Sequence, residues 1–300
     1  MGASGLVVSV IGLGGNNFGT NIGQEPTTQV VHAALDAGIT FFDTAPAYGG
    51  PDGSERMLGH ALKGERHRVV LATKFGFRLH PPDVAPGSRR NIRRELEDSL
   101  RRLQTDYVDL YYLHHPDPET PIEETLETLN ELVVEGKVLY VGVCNMLAWQ
   151  LVEAQWAART SKSARFVAAQ NLYNLLNRSV EDQVVPVCAR YGIGLVPHTP
   201  LASGLLTGKY RRDSPPPEGT RLARRPNVLN TADFNTLEAI ETLAQQRGWS
   251  WLQVALGGLL AQPTVASVIA GATSPDQVRA NAAVADTPLT LDDLASLTSS

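Results

Sequence analysis

The 300-residue chain is 43% hydrophobic and 19% charged, enough to bury a large core as one α/β barrel or as two smaller domains. A formal net charge of −5 and a pI near 5.8 exclude the basic field a nucleic-acid partner requires, so Arg89, Arg90, Arg93, Arg94, Arg224 and Arg225 read as solvated faces. Cys144 and Cys188 are too few for a disulfide framework and read as buried thiols of a reducing compartment; with no basic, apolar leader and no stretch near the roughly 20 apolar residues of a membrane span, no membrane contact is expected and the cytoplasm is the default.

In chain order, near-continuously apolar runs alternate with amphipathic ones, which is the pattern of parallel strands joined by crossover helices. VVSVIGLG leads to the helical run TTQVVHAALDAG, with Thr27 or Thr28 as N-cap and Gly38 as C-terminal stop. ITFFDTA precedes SERMLGHALKG, RVVLATK precedes IRRELEDSLRRL, and YVDLYYLH precedes PIEETLETLNELVVEG. VLYVGVCN, FVAAQNLYN and IGLVPHTP are followed by MLAWQLVEAQWAA, VEDQVVPVCARYG and TADFNTLEAIETLAQQRG. An extra helix, WSWLQVALGGLLA, comes before VASVIAGA and SPDQVRANAAVA, and TLDDLASLTSS closes the chain. Eight such pairs predict an α/β fold, a (β/α)8 TIM barrel with extra helices, rather than an open doubly wound sheet. No interdomain linker stands out, so residues 1–300 read as a single domain, and residues 209–230, which hold SPPPEG, read as a long functional loop after strand seven.

Barrel chemistry gathers at the C-terminal ends of the strands. Asp43 ends the second strand, with Tyr48 in the loop beyond; Lys74 ends the third and His114 the fourth. A carbonyl that accepts hydride needs a proton, which a tyrosine supplies if a nearby ammonium lowers its pKa. Lys74 is the candidate ammonium, Asp43 would keep it charged, and His114 would orient the substrate oxygen. Singly, these four could be a strand cap, a loop aromatic, an exposed strand end and a core histidine. Their placement on consecutive strand ends favours a shared site.

DTAPAYG with SERMLGHAL, LATKFG, DLYYLHHPD, GVCN, QNLYNLLNR, TPLASGLLTGKY and GATSPDQVRAN resemble, in order and spacing, the successive signatures of the aldo-keto reductase family, over residues 12–281. The resemblance implies a reversible NAD(P)H-dependent oxidoreductase that reduces aldehydes or ketones. Its catalytic tetrad would be Asp43, Tyr48, Lys74 and His114, with Tyr48 as general acid in reduction. His114 rather than His115 matches, because it lies two residues before Pro116, and His115 is expected to point elsewhere.

GLGGNNFG at residues 12–19 is a poor dinucleotide fingerprint, because Asn17 stands at the sixth position of G-x-G-x-x-G. Gly14, Gly15 and Asn16 are instead read as a first loop whose small residues let backbone approach the nicotinamide. The resemblance puts Asn145 and Gln170 at the carboxamide, with the pyrophosphate along Thr199, Leu201, Ser203 and Gly204, and Lys209 and Arg221 adding charge. Gly271, Thr273, Gln277 and Asn281 would surround the adenosine end, with Arg279 helping. His198 stands where the family usually stacks an aromatic on the nicotinamide. Gln277 and Ala280 replace an Arg and an acid of some members, so NADPH/NADP+ is expected and NADH stays open; Ala270 replaces a frequent Pro.

An N-terminal hairpin shortened to about ten residues should affect stability more than chemistry, and a short tail after Thr287 implies an open pocket, lined by residues 75–89 and 209–230. The expected partner is a small aldehyde or ketone, and monomer is the default. Rival readings are a cofactor-binding regulatory subunit similar to potassium-channel β subunits, in which Asn replaces His114, and an aldolase with Lys74 as Schiff-base nucleophile. No metal site is expected, since His114 and His115 are adjacent and no ligand repeats at helical spacing.

Overall fold

The protein is described by a computed structural model that covers residues 1–50, 53–77, 84–220, 222–224, 226–287 and 289–297. Its strands are β1 (Ile11–Gly14), β2 (Phe41–Asp43), β3 (Val70–Phe75), β4 (Val108–Leu113), β5 (Val138–Cys144), β6 (Phe166–Leu172), β7 (Gly194–His198) and β8 (Val268–Gly271). All pair in parallel in the order β7-β6-β5-β4-β3-β2-β1-β8, a nearly closed barrel. The seam between β7 and β8 is bridged by the chain ahead of β8: Leu195 N donates to Thr264 O at 2.8 Å and Ala266 N to Leu195 O at 2.8 Å.

Around the barrel lie α1 (Gln24–Asp36), α2 (Ser54–Ala61), α3 (Arg89–Leu103), α4 (Ile122–Val134), α5 (Ala148–Ser161) and α6 (Val184–Tyr191). After β7 come α7 (Pro226–Asn230), α8 (Phe234–Arg247) and α9 (Trp251–Leu260), and after β8 come α10 (Pro275–Ala282) and α11 (Leu291–Ser296). The predicted eight-fold repeat with extra helices is the observed one. None of the described helices is long and apolar enough to cross a membrane.

One expected boundary is corrected. Helix α1 starts at Gln24 with Gly23 as N-cap, and Thr27 and Thr28 lie inside it, their hydroxyls donating to Gly23 O (2.8 Å) and Gln24 O (3.1 Å). Pro26 misled the reading, since proline is accommodated in a first turn whose N–H groups have no intrahelical partner. Gly38 does end the helix region, with φ +76°. The stretch 209–230 is also more ordered than a plain loop: its end carries α7 and a 3-10 turn at Leu222–Arg224, and buried Leu222 joins a satellite core with Leu205, Leu206, Tyr210, Leu237 and Ile240.

Strand side chains alternate between two cores. One set packs outward against the helices; the other, Phe41, Ala72, Leu110, Tyr112, Cys144, Ala168, Val196 and Ile269, fills the barrel. Residues 1–10 form no strand, so the expected short hairpin is absent; instead Ala3 N donates to Gly192 O at 2.7 Å and Leu6 joins the interior core from the N-terminal end. Both cysteines are free and buried.

Interior packing makes glycine obligatory at 142, where a Cβ would sit 2.6 Å from two ring carbons of Tyr112 and 3.1 Å from Ala168 O. Because Tyr112 is itself fully buried, it has nowhere to move. Gly142→Ala should destabilise the fold by about 2 kcal/mol or more, the scale of overpacking a core, measured by urea unfolding.

Candidate active site

The period of two that fills the barrel also delivers its C-terminal mouth. Two residues past the interior Phe41, Ala72 and Tyr112 come Asp43, Lys74 and His114, all three buried. Lys74 Nζ donates to Asp43 Oδ1 at 2.5 Å and to Thr44 O at 2.9 Å, while the second carboxylate oxygen of Asp43 accepts from Gln170 Nε2 at 2.9 Å. Tyr48, half-buried, comes from the β2–α2 loop: its N–H donates to Ala45 O at 3.1 Å, and its carbonyl accepts from Ser54 N at 2.8 Å. Gly49 turns that loop with φ +87°, and a Cβ there would lie 2.3 Å from Phe18 O. The Tyr48 ring centroid sits 5.0 Å from Lys74 Nζ and 5.9 Å from the His114 ring, edge to face at 84°. All four residues read from the strand ends thus meet in one place.

Burial disfavours a charged Lys74, but Asp43, with Tyr48 and Cys144, outweighs it and holds the ammonium above its ordinary value. That removes the aldolase reading, which needs a neutral amine. Tyr48 departs from expectation: burial lifts its pKa above the ordinary phenol value, and Lys74 offsets this only in part. The ammonium therefore opposes desolvation rather than creating a strongly acidic phenol. His114 is pushed down to about 2 by burial, then by Lys74, His115 and His198, so its ring is neutral, and its Nδ1 is buried without a partner among the described residues. A neutral imidazole beside a phenol carries one donor and one acceptor nitrogen, which suits directed hydrogen bonding.

His115 does not point away. Its ring stacks on His114 at 5.0 Å and 9°, and exposed Phe77 lies 5.3 Å and 5.6 Å from the two imidazoles, an aromatic wall inside the 75–89 stretch expected to line the pocket, although Phe77 itself was not singled out. Phe77 follows Lys74 by three residues, and an exposed aromatic just past a strand end was the available signal.

Asn145, in the left-handed region at φ +58°, donates from Nδ2 to His114 O at 3.0 Å, and its Oδ1 lies 2.9 Å from His198 Nε2. Gln170 faces the tetrad rather than the mouth alone, since its amide donor is held by Asp43. Gly15 begins a 3-10 turn, Gly15–Asn17, but its lack of a side chain serves packing: a Cβ would meet Ser54 Oγ at 2.5 Å and Asp43 O at 3.2 Å. Gly14 is likewise pressed against Ile269, at 2.8 Å. Asn16 is exposed at the mouth, close to Gly271 across the barrel rim.

Beyond β7, Thr199, Ala202, Ser203 and Gly204 all have positive φ (55°, 46°, 59° and 105°), and Asn174 Nδ2 pins the loop by donating to Thr199 O at 3.1 Å. Within the loop Ala202 N donates to Thr199 O at 3.0 Å and Gly204 N to Leu201 O at 2.8 Å, so these two amides close tight turns. Leu201 lies within it, half-buried, and Lys209 is exposed just past it. At the residues expected to meet the adenosine, Ser274 caps α10, Gln277 Oε1 accepts from Thr273 N at 2.8 Å, Asn281 is buried, and Arg279 is paired with Asp276 at 2.7 Å. Arg221 and much of the expected pocket wall, 78–83, lie outside the described residues.

Known sequences carry the same pattern. The aldo/keto reductase family model matches residues 10–300. The chain is 38% identical to an uncharacterized oxidoreductase, YrpG, of Bacillus subtilis (strain 168), over 93% of this chain and 88% of that protein. It is 36% identical to the L-glyceraldehyde 3-phosphate reductase of Escherichia coli (strain K12), over 93% and 85%. A probable voltage-gated potassium channel subunit beta of Oryza sativa subsp. japonica is 34% identical over 94% and 88%. With a nearly closed eight-stranded barrel and a match along almost its whole length, the chain belongs to the aldo/keto reductase family, oxidoreductases that act on small carbonyl compounds with nicotinamide cofactors.

Proposed function

We propose that this enzyme reduces an aldehyde or ketone with NADPH, that Tyr48 is the general acid, and that Asp43, Lys74 and His114 complete its catalytic group. The observation that carries the reading is a buried Lys74, ion-paired with Asp43, whose ammonium lies 5.0 Å from the Tyr48 ring while that ring meets the neutral His114 edge to face. A bound reduced nicotinamide supplies the hydride. The residues do the rest: His114 donates a hydrogen bond to the carbonyl oxygen and orients it, and Tyr48 transfers its proton to that oxygen as negative charge develops. Lys74 steadies the resulting phenolate, and Asp43, fixed by Gln170, keeps Lys74 charged.

A dinucleotide would lie across the mouth. Asn145 and Gln170 would flank the carboxamide, with His198 beside the nicotinamide ring and Gly15 and Asn16 on the opposite rim. Thr199, Leu201, Ser203, Gly204 and Lys209 would hold the pyrophosphate, aided by Arg221, and Gly271, Thr273, Gln277 and Asn281 the adenosine end. NADPH is the proposed form, and parallel titration with NADH tests it. Two free, buried cysteines support a reducing, cytoplasmic setting. Retention of the whole catalytic group favours turnover over a purely regulatory role.

Tyr48→Phe should lower turnover of an aldehyde panel by about two to four orders of magnitude, the worth of a positioned proton donor, while NADPH affinity by fluorescence titration changes less than about threefold. Retained turnover removes Tyr48 from the role. With Tyr48 raised and His114 pushed down to about 2, both stay in the required state through neutral pH. The kcat for reduction should therefore be flat from about pH 5 to 9 and fall only in alkali as the phenol ionises, with no limb near 6.5; oxidation, which needs the phenolate, should rise with pH. A reduction profile with a histidine-like limb near 6.5 would contradict the neutral His114.

A further inference from the structure

The hydrogen-bond partners of His198 fix its tautomer. Asn145 Nδ2 lies 3.0 Å from the main-chain carbonyl of His114, an atom that only accepts, so the amide nitrogen must be on that side and Oδ1 on the other. Oδ1 then faces His198 Nε2 at 2.9 Å, and Oδ1 only accepts, so Nε2 carries the hydrogen. His198 Nδ1 is left as acceptor, with the Thr199 hydroxyl at 3.2 Å donating to it. A neutral ring is required for this tautomer. Burial, Lys74 and His115 supply that condition by pushing His198 down to about 4.

An asparagine amide has two donors and two acceptor lone pairs. The His114 carbonyl and His198 each take one, and the second N–H finds only His115 Nδ1, at 3.5 Å and thus the outer limit of a hydrogen bond. One donor and one acceptor therefore remain on Asn145, in a fixed orientation, and a primary carboxamide presents the complementary pair. We propose that His198 is a positioning residue that locks the Asn145 amide so that its free Oδ1 lone pair selects a ligand bearing a carboxamide N–H. A carbocyclic ring at 198 would offer the same flat surface with no donor to hold Oδ1. This rests on the proposed reading that Asn145 faces the nicotinamide carboxamide.

The test compares NADP+ with its 3-acetylpyridine analogue, which keeps the ring and carbonyl but lacks the amide N–H. Dissociation constants come from fluorescence titration of wild type, His198→Phe, His198→Gln and Asn145→Ala, each checked for folding by circular dichroism. Wild type should prefer NADP+ by about five- to tenfold, the scale of one hydrogen bond. His198→Phe should bring that preference within about twofold, as should Asn145→Ala. His198→Gln, which keeps an amide donor, should restore it, and adding Asn145→Ala to His198→Phe should cause no further loss of preference. A His198→Phe variant that keeps the wild-type preference, or that weakens both ligands equally, overturns the inference while leaving the proposed function standing. The same holds for wild type that binds NADP+ without discriminating. Should wild type bind neither NADP+ nor NAD+, the proposed function itself fails and the inference falls with it.

Discussion

The buried pair of Lys74 and Asp43 is the constraint around which this site is built. Two charges withdrawn from water into a barrel core lose several kcal/mol of hydration each, and their attraction repays this only when every remaining polar atom is satisfied. Here two of the three ammonium N–H groups are matched, by Asp43 and the Thr44 carbonyl, and the second oxygen of Asp43 receives Gln170. The pair therefore ties β2 and β3 to β6 on the far side of the barrel. Its geometry does not stand alone, because the small or absent side chains of Gly15 and Gly142 make room for Ser54 and Tyr112 close by.

A cation in that position biases the groups around it, in concert with their burial. His114 and His198 both lie near Lys74 and both are held neutral, burial being the larger cause and the ammonium adding to it. Neutral imidazoles carry one donor and one acceptor nitrogen apiece, which lets them take part in directed hydrogen bonding where imidazolium would only donate. Tyr48 feels the opposite influence, since the same ammonium favours its ionised form, yet burial still keeps the phenol above its ordinary value. The site thus holds its proton on the phenol and keeps its histidines free of charge, an arrangement suited to giving up one proton when negative charge appears nearby.

The barrel positions these groups through a simple rule. Strands of period two send alternate side chains inward, so the layer of Phe41, Ala72, Leu110 and Tyr112 that packs the interior is followed at the mouth by Asp43, Lys74 and His114. Around that rigid rim stand loops with unusual backbone: Asn145, Thr199, Ala202 and Ser203 adopt left-handed conformations without being glycine. Each non-glycine residue so placed costs about 1 kcal/mol or more, which surrounding contacts must offset; Asn174 on the Thr199 carbonyl is one such contact.

Eight strands, their helices and the four strand-end residues were legible in the amino-acid order because they depend on local periodicity and on the direction in which strand side chains point. Motif order made the family legible as well. The N-cap of helix α1 lies four or five residues before the expected caps, because a proline in its first turn hid the true start behind threonines that resemble caps. What only the tertiary structure decided were distances across the barrel and the states they impose. Gln170 meets Asp43 over 127 positions of chain, Asn145 meets His198 over 53, and His115 stacks on His114 rather than turning away. Burial, which raises the Tyr48 phenol against the pull of Lys74, is likewise a property of the closed barrel. Sequence determines which side chains face inward, because that follows from backbone geometry one residue at a time. Desolvation and long-range hydrogen bonding depend on which strands close around them, and that is settled only when the barrel forms.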